Sequence, residues 1–259
     1  MSNADLLGLE RQERIAQLLE QRGTLTVAEI SEAFEVSEAT VRRDLATLAS
    51  RNMIRRVHGG AMRTHTVATS ESPIMQRQEQ NADIKRRIGQ AAGRLIREGE
   101  TVLLVGGSTG TAVARELGGH TNLTIITDSL IVASELMRQG NHQVIMLGGM
   151  IDPAEFAVRG TLARLILSEL QVDKVIIGAK AISPGRGLSA ESAEEAEILR
   201  AFINAGHHVI VVTDSSKFHQ TALVRVAPID AIHTLVTDTD IPPDALEAFQ
   251  ERGVFVEMV

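Results

Sequence analysis

Residues 106–110, Gly-Gly-Ser-Thr-Gly, follow an apolar run and lead into a helical pattern. Backbone N–H groups, two hydroxyls and a helix N-terminus in one place suit an anion such as phosphate. No Lys follows the last Gly, so this is not a Walker loop, and the GxGxxG spacing of a dinucleotide site is missing. Tight glycine turns also arise simply because a chain must turn. Four more polar stretches share the setting: Thr127-Asp128-Ser129, Gly148-Gly149, Gly178-Ala179-Lys180 and Asp214-Ser215-Ser216-Lys217. Gly107, Ser108, Thr109, Asp128, Ser129, Gly149, Lys180 and Lys217 are therefore candidates for holding a small polar ligand. Asp128, Asp214 and Glu195 could in principle supply acid–base chemistry. Glu191, Glu194, Glu195 and Glu197 read mostly as a solvated helix start. The eight histidines show no metal-ligand spacing, and no metal or cofactor is expected.

A different chemistry is written in residues 26–61, TVAEISEAFEVSEATVRRDLATLASRNMIRRVHGGA. Thr26 with Glu29 forms a capping box, and Val27, Ile30 and Phe34 share a helical face. Glu35-Val36 is a short turn. Ser37 caps a second helix whose buried face is Val41, Leu45 and Leu48. Ala39, Arg43 and Ala46 point the other way, flanked by Thr40 and Arg42. Small residues beside arginines suit a helix that must enter a groove closely. A strand at 53–57 and a turn at His58-Gly59-Gly60 complete a winged helix-turn-helix. Arg43 is the candidate for a base edge, and Arg42, Arg55, Arg56 and Arg63 for phosphates. The nucleic-acid set is thus Ser37, Thr40, Arg42, Arg43, Arg55, Arg56 and His58. Winged helices that bind protein, with solvated arginines, are the plainer alternative.

The positioning elements follow from periodicity. A first helix spans 9–22, with Ile15, Leu18 and Leu19 as its apolar stripe. The polar stretch 63–76 has a linker's composition, and Pro73 forbids a continuous helix through it. Domains are therefore expected at 1–62 and 77–259. The second alternates helices with short Val/Ile-rich strands: helices near 83–98, 110–118, 129–139, 160–170, 191–205 and 243–252, and strands near 101–105, 123–127, 143–147, 174–178, 208–213 and 231–237. That pattern is α/β, a Rossmann-like parallel sheet between helical layers. Ligands of such sheets sit at the carboxyl ends of the strands, where the polar stretches fall.

Composition narrows the options. The 259-residue chain carries a net charge of −7. Yet Arg42 to Arg63 holds six arginines against one acidic residue, Asp44. A basic patch on an acidic protein favours oriented DNA contact over indiscriminate polyanion binding. With no cysteine, a disulfide framework, a zinc finger and a thiol nucleophile are excluded. Trp and Tyr are absent and Phe is scarce, so duplex DNA is a better partner than stacked single strands. The opening residues lack the basic start and apolar run of a secretion signal, and no apolar run is long enough to span a membrane. The expected compartment is the cytoplasm, with no membrane partner.

VSEATVRRDLATL followed by RRVHGGA resembles the N-terminal domain of the DeoR family of bacterial sugar-responsive transcription regulators. Later segments resemble that family's effector domain, so the likeness covers nearly the whole chain. It implies a second domain akin to ribose-5-phosphate isomerase and glucosamine-6-phosphate deaminase, binding a phosphorylated sugar or related metabolite that changes operator affinity. It carries over onto Gly107, Ser108 and Thr109, Thr127 and Ser129, Gly148-Gly149, Gly187, and Ser216-Lys217. Arg77, Asn81 and Lys85 match the family's R-x3-N-x3-K entry helix. Three positions depart from the family: Val105 where Asp is usual, Asp128 where Asn is usual, and Leu199 where many members have Lys. The carboxylate at Asp128 would repel phosphate unless a cation such as Lys180 or Lys217 lay beside it.

The expected function is a DNA-binding regulator, a repressor of a carbohydrate-utilisation operon, controlled by a small phosphorylated sugar or related metabolite. It is expected to be no enzyme and to form a homodimer or tetramer that matches paired half-sites. A phosphosugar isomerase or deaminase with an appended DNA module is the alternative.

Overall fold

The computed structural model describes residues 8, 11–12, 14–16, 18–19, 24–50, 54–57, 59–63 and 73–259. The chain divides into two compact units, Met1–His65 and Thr66–Val259.

In the first unit, residues 11–12, 14–16 and 18–19 are helical, with Ile15 and Leu19 buried. Strand β1 (Thr24–Thr26), too short to show a period, pairs with β3 (Gly60–Arg63), which pairs in turn with β2 (Ile54–Val57). Helix α1 (Val27–Phe34) opens on the expected capping box: the Glu29 N–H donates to Thr26, and the Glu29 carboxylate accepts from the Thr26 N–H at 2.7 Å. Glu35 takes φ +50° to end α1, and the chain enters α2 (Glu38–Ser50). Val27, Ile30, Val41, Leu45, Leu48 and Ile54 close one small core with Ile15 and Leu19.

The second unit is built on seven parallel strands. In order across the sheet they are β15 (Phe255–Met258), β14 (Thr234–Thr237), β12 (Gly206–Val212), β9 (Val172–Gly178), β4 (Thr101–Leu104), β5 (Thr124–Thr127) and β6 (Gln143–Met146). Alternate residues feed two apolar layers. Leu103, Val175, Ile177, Val209 and Val211 enter one, and Val102, Leu104, Ile176, Ile210 and Val212 the other. Both faces are thus dry, as the Val/Ile runs require. Helices α4 (Ala82–Arg94), α5 (Ser108–Glu116) and α6 (Leu130–Gln139) cover one layer. Helices α7 (Thr161–Ser168), α8 (Ala193–Ala205) and α9 (Pro243–Glu251) cover the other.

Several elements go beyond the pattern of alternating helices and strands. A short helix α3 (Ile74–Glu79) precedes α4, starting inside the polar stretch expected as linker; residues 64–72 of that stretch lie outside the described residues. The helix expected over 83–98 starts at Ala82 and ends at Arg94. A hairpin of β7 (Met150–Asp152) and β8 (Ala157–Arg159) is inserted after β6. A three-stranded antiparallel sheet joins β10 (Ala181–Ser183), β11 (Gly187–Ala190) and β13 (Val224–Ala227). The edge strand β15 is the seventh parallel strand where six are expected.

Gly110 shows how closely the anion-type loop is packed. A Cβ there would stand 2.2 Å from the carbonyl oxygen of Val105. Gly110→Ala must push α5 away from the sheet, at a cost of about 1–3 kcal/mol. Urea unfolding of the second unit should show that loss in its midpoint.

Candidate functional site

On α2, Val41, Leu45 and Leu48 face the core, while Ala39, Arg42, Arg43 and Ala46 are exposed. The Ser37 hydroxyl caps the helix, accepting from the Thr40 N–H at 3.2 Å and lying 2.9 Å from the Thr40 hydroxyl. Arg42 is spread along the surface beside Glu38, 2.7 Å away, with both side chains more than half exposed. Such a pair stabilises little and is easily exchanged for a phosphate. Asp44, the acidic residue of the basic stretch, is buried. Its carboxylate accepts from Arg11 Nε at 2.7 Å and Gln12 Nε2 at 2.9 Å. The exposed face of α2 is thereby relieved of that negative charge. Arg55 and Arg56 lie on β2, in register with Met62 and Ala61. His58 lies outside the described residues.

In the second unit, the carboxyl ends of the strands open onto one cleft. Its lining includes Arg77, Lys85, Gly107, Ser108, Thr109, Lys180 and Lys217 from the expected set, together with Glu155, Arg159, Glu195 and Asp214. Gly107 precedes α5 with φ +116°, a conformation suited to glycine. The first N–H groups of α5 have no partner inside the helix, and Ser108 and Thr109 at that end line the cleft.

Asp128, Ser129 and Gly149 do not reach the cleft surface. Asp128 is fully buried: one carboxylate oxygen accepts from the Gly106 N–H at 2.7 Å, the other from Arg159 Nη1 at 2.7 Å. The neutralising cation is thus Arg159, not Lys180 or Lys217. Ser129 is the buried cap of α6, accepting from the Val132 N–H at 3.3 Å, and the Thr127 hydroxyl accepts from the Ser129 N–H at 3.1 Å. Gly149 packs against β8, where a Cβ would sit 2.5 Å from the Arg159 carbonyl oxygen. Gly187 is likewise pressed on the Ala227 carbonyl, away from the cleft.

Arg77, Asn81 and Lys85 do not share one helix. Asn81 takes φ +51° and breaks α3 from α4. The buried Lys85 ammonium donates to the Arg77 carbonyl at 2.7 Å and to the Gln80 carbonyl. It satisfies carbonyls that the end of α3 leaves open, a favourable place for a cation. The Arg77 guanidinium pairs with Glu155 at the hairpin tip, and the Ile74 N–H donates to the Ala154 carbonyl at 3.1 Å.

Two glutamates expected in solvent are half-buried at the start of α8. Lys180 Nζ lies 3.0 Å from Glu195 and 3.8 Å from Glu191. The reason is positional: α8 begins at the carboxyl edge, so its first turn faces the cleft. Glu194 stays exposed, and Glu197 pairs with Arg164 of α7. Asp214 folds its loop as an Asx-turn, accepting from the Ser216 N–H at 3.1 Å and the Ser216 hydroxyl. The buried Asp238 holds the same loop through the Ser215 N–H at 2.7 Å. Arg159, Glu155 and Asp238 are not among the residues that sequence reasoning singles out. The hairpin that carries the first two has three-residue strands and no readable periodicity, although Asp152-Pro153 marks its turn.

The arrangement is a cradle of N–H groups, hydroxyls and cations in which these carboxylates are already engaged. Among the described residues, no group of three or more histidines or carboxylates is arranged to hold a metal.

Two family models match the chain. One, described as the DeoR-like helix-turn-helix domain, covers residues 11–67; the other, the DeoR C terminal sensor domain, covers residues 80–239. A putative aga operon transcriptional repressor of Escherichia coli O157:H7 is 32% identical, over 100% of this chain and 99% of its own. The glycerol-3-phosphate regulon repressor of Escherichia coli K12 is 30% identical, over 96% and 98%. Among solved structures, ribose 5-phosphate isomerase A from Methanocaldococcus jannaschii is 19% identical, with a TM-score of 0.40 over 54% of this chain and 55% of that one.

Asp128→Asn should keep the Gly106 contact and lose the charge that Arg159 now balances. The guanidinium then serves an incoming anion. Inorganic phosphate should bind several-fold tighter by calorimetry at low salt, and less so at high salt. Unchanged or weaker phosphate binding would mean that Arg159 does not face the anion.

Proposed function

The chain belongs to the DeoR family of transcriptional regulators, and from that premise we propose a repressor of a carbohydrate-utilisation operon whose grip on its operator is set by a small phosphorylated metabolite. One observation carries the DNA half of this reading. The exposed face of α2 offers Arg42 and Arg43 beside two alanines, while Asp44 is buried against Arg11. A helix so charged fits the major groove, with Arg43 at a base edge and Arg42 at phosphate. Ser37 and Thr40 stand at its N-terminal end, where a recognition helix meets the duplex. Arg55, Arg56 and His58 of the wing complete the proposed contact set on the strength of the sequence.

The effector half rests on the cleft. Helix α5 directs N–H groups there, and Arg159, Lys180 and Lys217 supply positive charge, so the ligand is an anion of small size. A sugar phosphate has that chemistry, and a relative carries glycerol-3-phosphate in its name. We read the cleft as binding and not turning over its ligand. Glu195 is held by Lys180 and Asp214 by Ser216, which leaves neither poised over a substrate as a proton acceptor. Paired half-sites call for two-fold assembly, a homodimer or a tetramer of dimers. Among the described residues no helix is long and apolar enough to cross a membrane, and the proposed compartment is the cytoplasm, where operator DNA resides.

The test uses a duplex selected by the full chain from a random pool. Arg43→Ala should cost about 1–3 kcal/mol against the preferred sequence and relax base preference. Arg42→Ala should weaken all sequences evenly and lower the salt slope by about one. If both variants bind as the parent does, α2 is not the reading element. A thermal-shift screen of sugars with and without phosphate identifies the effector class, since a ligand of the native state raises the melting temperature.

A further inference from the structure

Helix α7, the outer strand β6 and the first strand of the hairpin form a face that is apolar and open to solvent among the described residues. On α7, Ala163 and Leu167 enter the core. Leu162, Leu165 and Ile166 stand on the other side at helical spacing, the first two 63% and 59% exposed. Thr161, Arg164 and Ser168 mark the polar side of α7, so its apolar side is wider than the core contact alone uses. Beside it β6 is the last strand of the sheet, so its outer edge has unpaired backbone groups, and Ile145 is exposed there. The turn at Gly148 joins the two elements, since a Cβ there would lie 3.6 Å from Ile166 Cδ1. Ile151 on β7 follows, 59% exposed, on the side of the hairpin where its cross-strand partner Val158 joins the same core as Ala163 and Leu167. Five of the thirteen exposed large hydrophobics among the described residues lie on this face.

We propose that this face is where a second copy of the chain docks. The inference rests on the two-fold assembly proposed above and assigns its surface. Five such side chains, each more than a third exposed, make a patch of roughly a few hundred Å², the size that marks an interaction site on a monomer. A standard interface takes about 800 Å² from each partner and its buried core is apolar, so a patch of that size can form such a core. Two-fold contact sets a patch against itself, so a charge near the axis would meet its like. None of the five is charged. The hairpin that offers Ile151 to the partner also supplies Glu155 and Arg159 to the cleft, so contact and ligand site share one element.

The test is sedimentation velocity on the full chain and two variants, Leu165→Glu on the face and Leu223→Glu away from it. The parent should sediment as a dimer or larger at micromolar concentration. L165E should raise the dissociation constant at least about 100-fold, as loss of a central apolar anchor does. L223E should leave it unchanged. An assembled parent with L165E assembled equally well would remove this face from the interface while the two-fold reading stood. A parent that is monomeric throughout would remove the two-fold reading itself, and this face with it. The chain has no cysteine, which allows a check that does not require charge in the contact. The thiol of L165C should react with a disulfide reagent more slowly as protein concentration rises, while that of L223C stays constant. Equal, concentration-independent rates would overturn the assignment even if L165E proved unstable.

Discussion

Asp128 is buried at the carboxyl edge of the sheet, and its two oxygens reach in opposite directions. One holds the Gly106 N–H at the start of the anion-type loop, and the other holds Arg159 at the end of the hairpin. Removing Arg159 costs about 3–5 kcal/mol, because the Asp128 carboxylate is left charged and desolvated. The pair therefore fixes the position of α5 relative to β8, and with it two walls of the cleft. Its placement follows from the parallel sheet: every strand delivers its last residue to the same edge, so loops far apart in sequence meet there.

A related device sets the charge of the first unit. Asp44 is turned inward against Arg11 and Gln12, which leaves the outer side of α2 to Arg42 and Arg43. In both units an aspartate beside exposed or cleft-lining cations is engaged by an arginine from another element. The cleft differs from the helix in being nearly balanced, with Arg77 on Glu155 and Lys180 on Glu195. An anion entering such a site competes with existing ion pairs. Binding of that kind can shift neighbouring elements, because a pair released at one end frees the element that held it.

Much of this architecture is legible in the amino-acid sequence. The capping box of α1, the buried stripe of α2 and the alternation of short apolar strands with helices are local patterns, and the chain obeys them. The loop at Gly106–Gly110 stands out because glycines and two hydroxyls together follow an apolar strand and lead into a helix. Pairing at a distance leaves no such local mark. Nothing near Asp128 announces Arg159, and nothing near Asp44 announces Arg11. Asn81 shows a different limit: a left-handed residue breaks a helix that a regular spacing would continue. Three-residue strands such as β7 and β10 hold too few positions to display a period, so the hairpin and the small antiparallel sheet emerge only in the fold.

The central claim is that ligand in the cleft and duplex on α2 are coupled through one chain. Coupling of binding free energies is reciprocal, so it can be read from the ligand's side alone. The direct measurement is calorimetric titration of the identified sugar phosphate into the full chain, once free and once saturated with its selected duplex. The account predicts two different affinities, separated by about 1–3 kcal/mol. Identical affinities in the two states would contradict it.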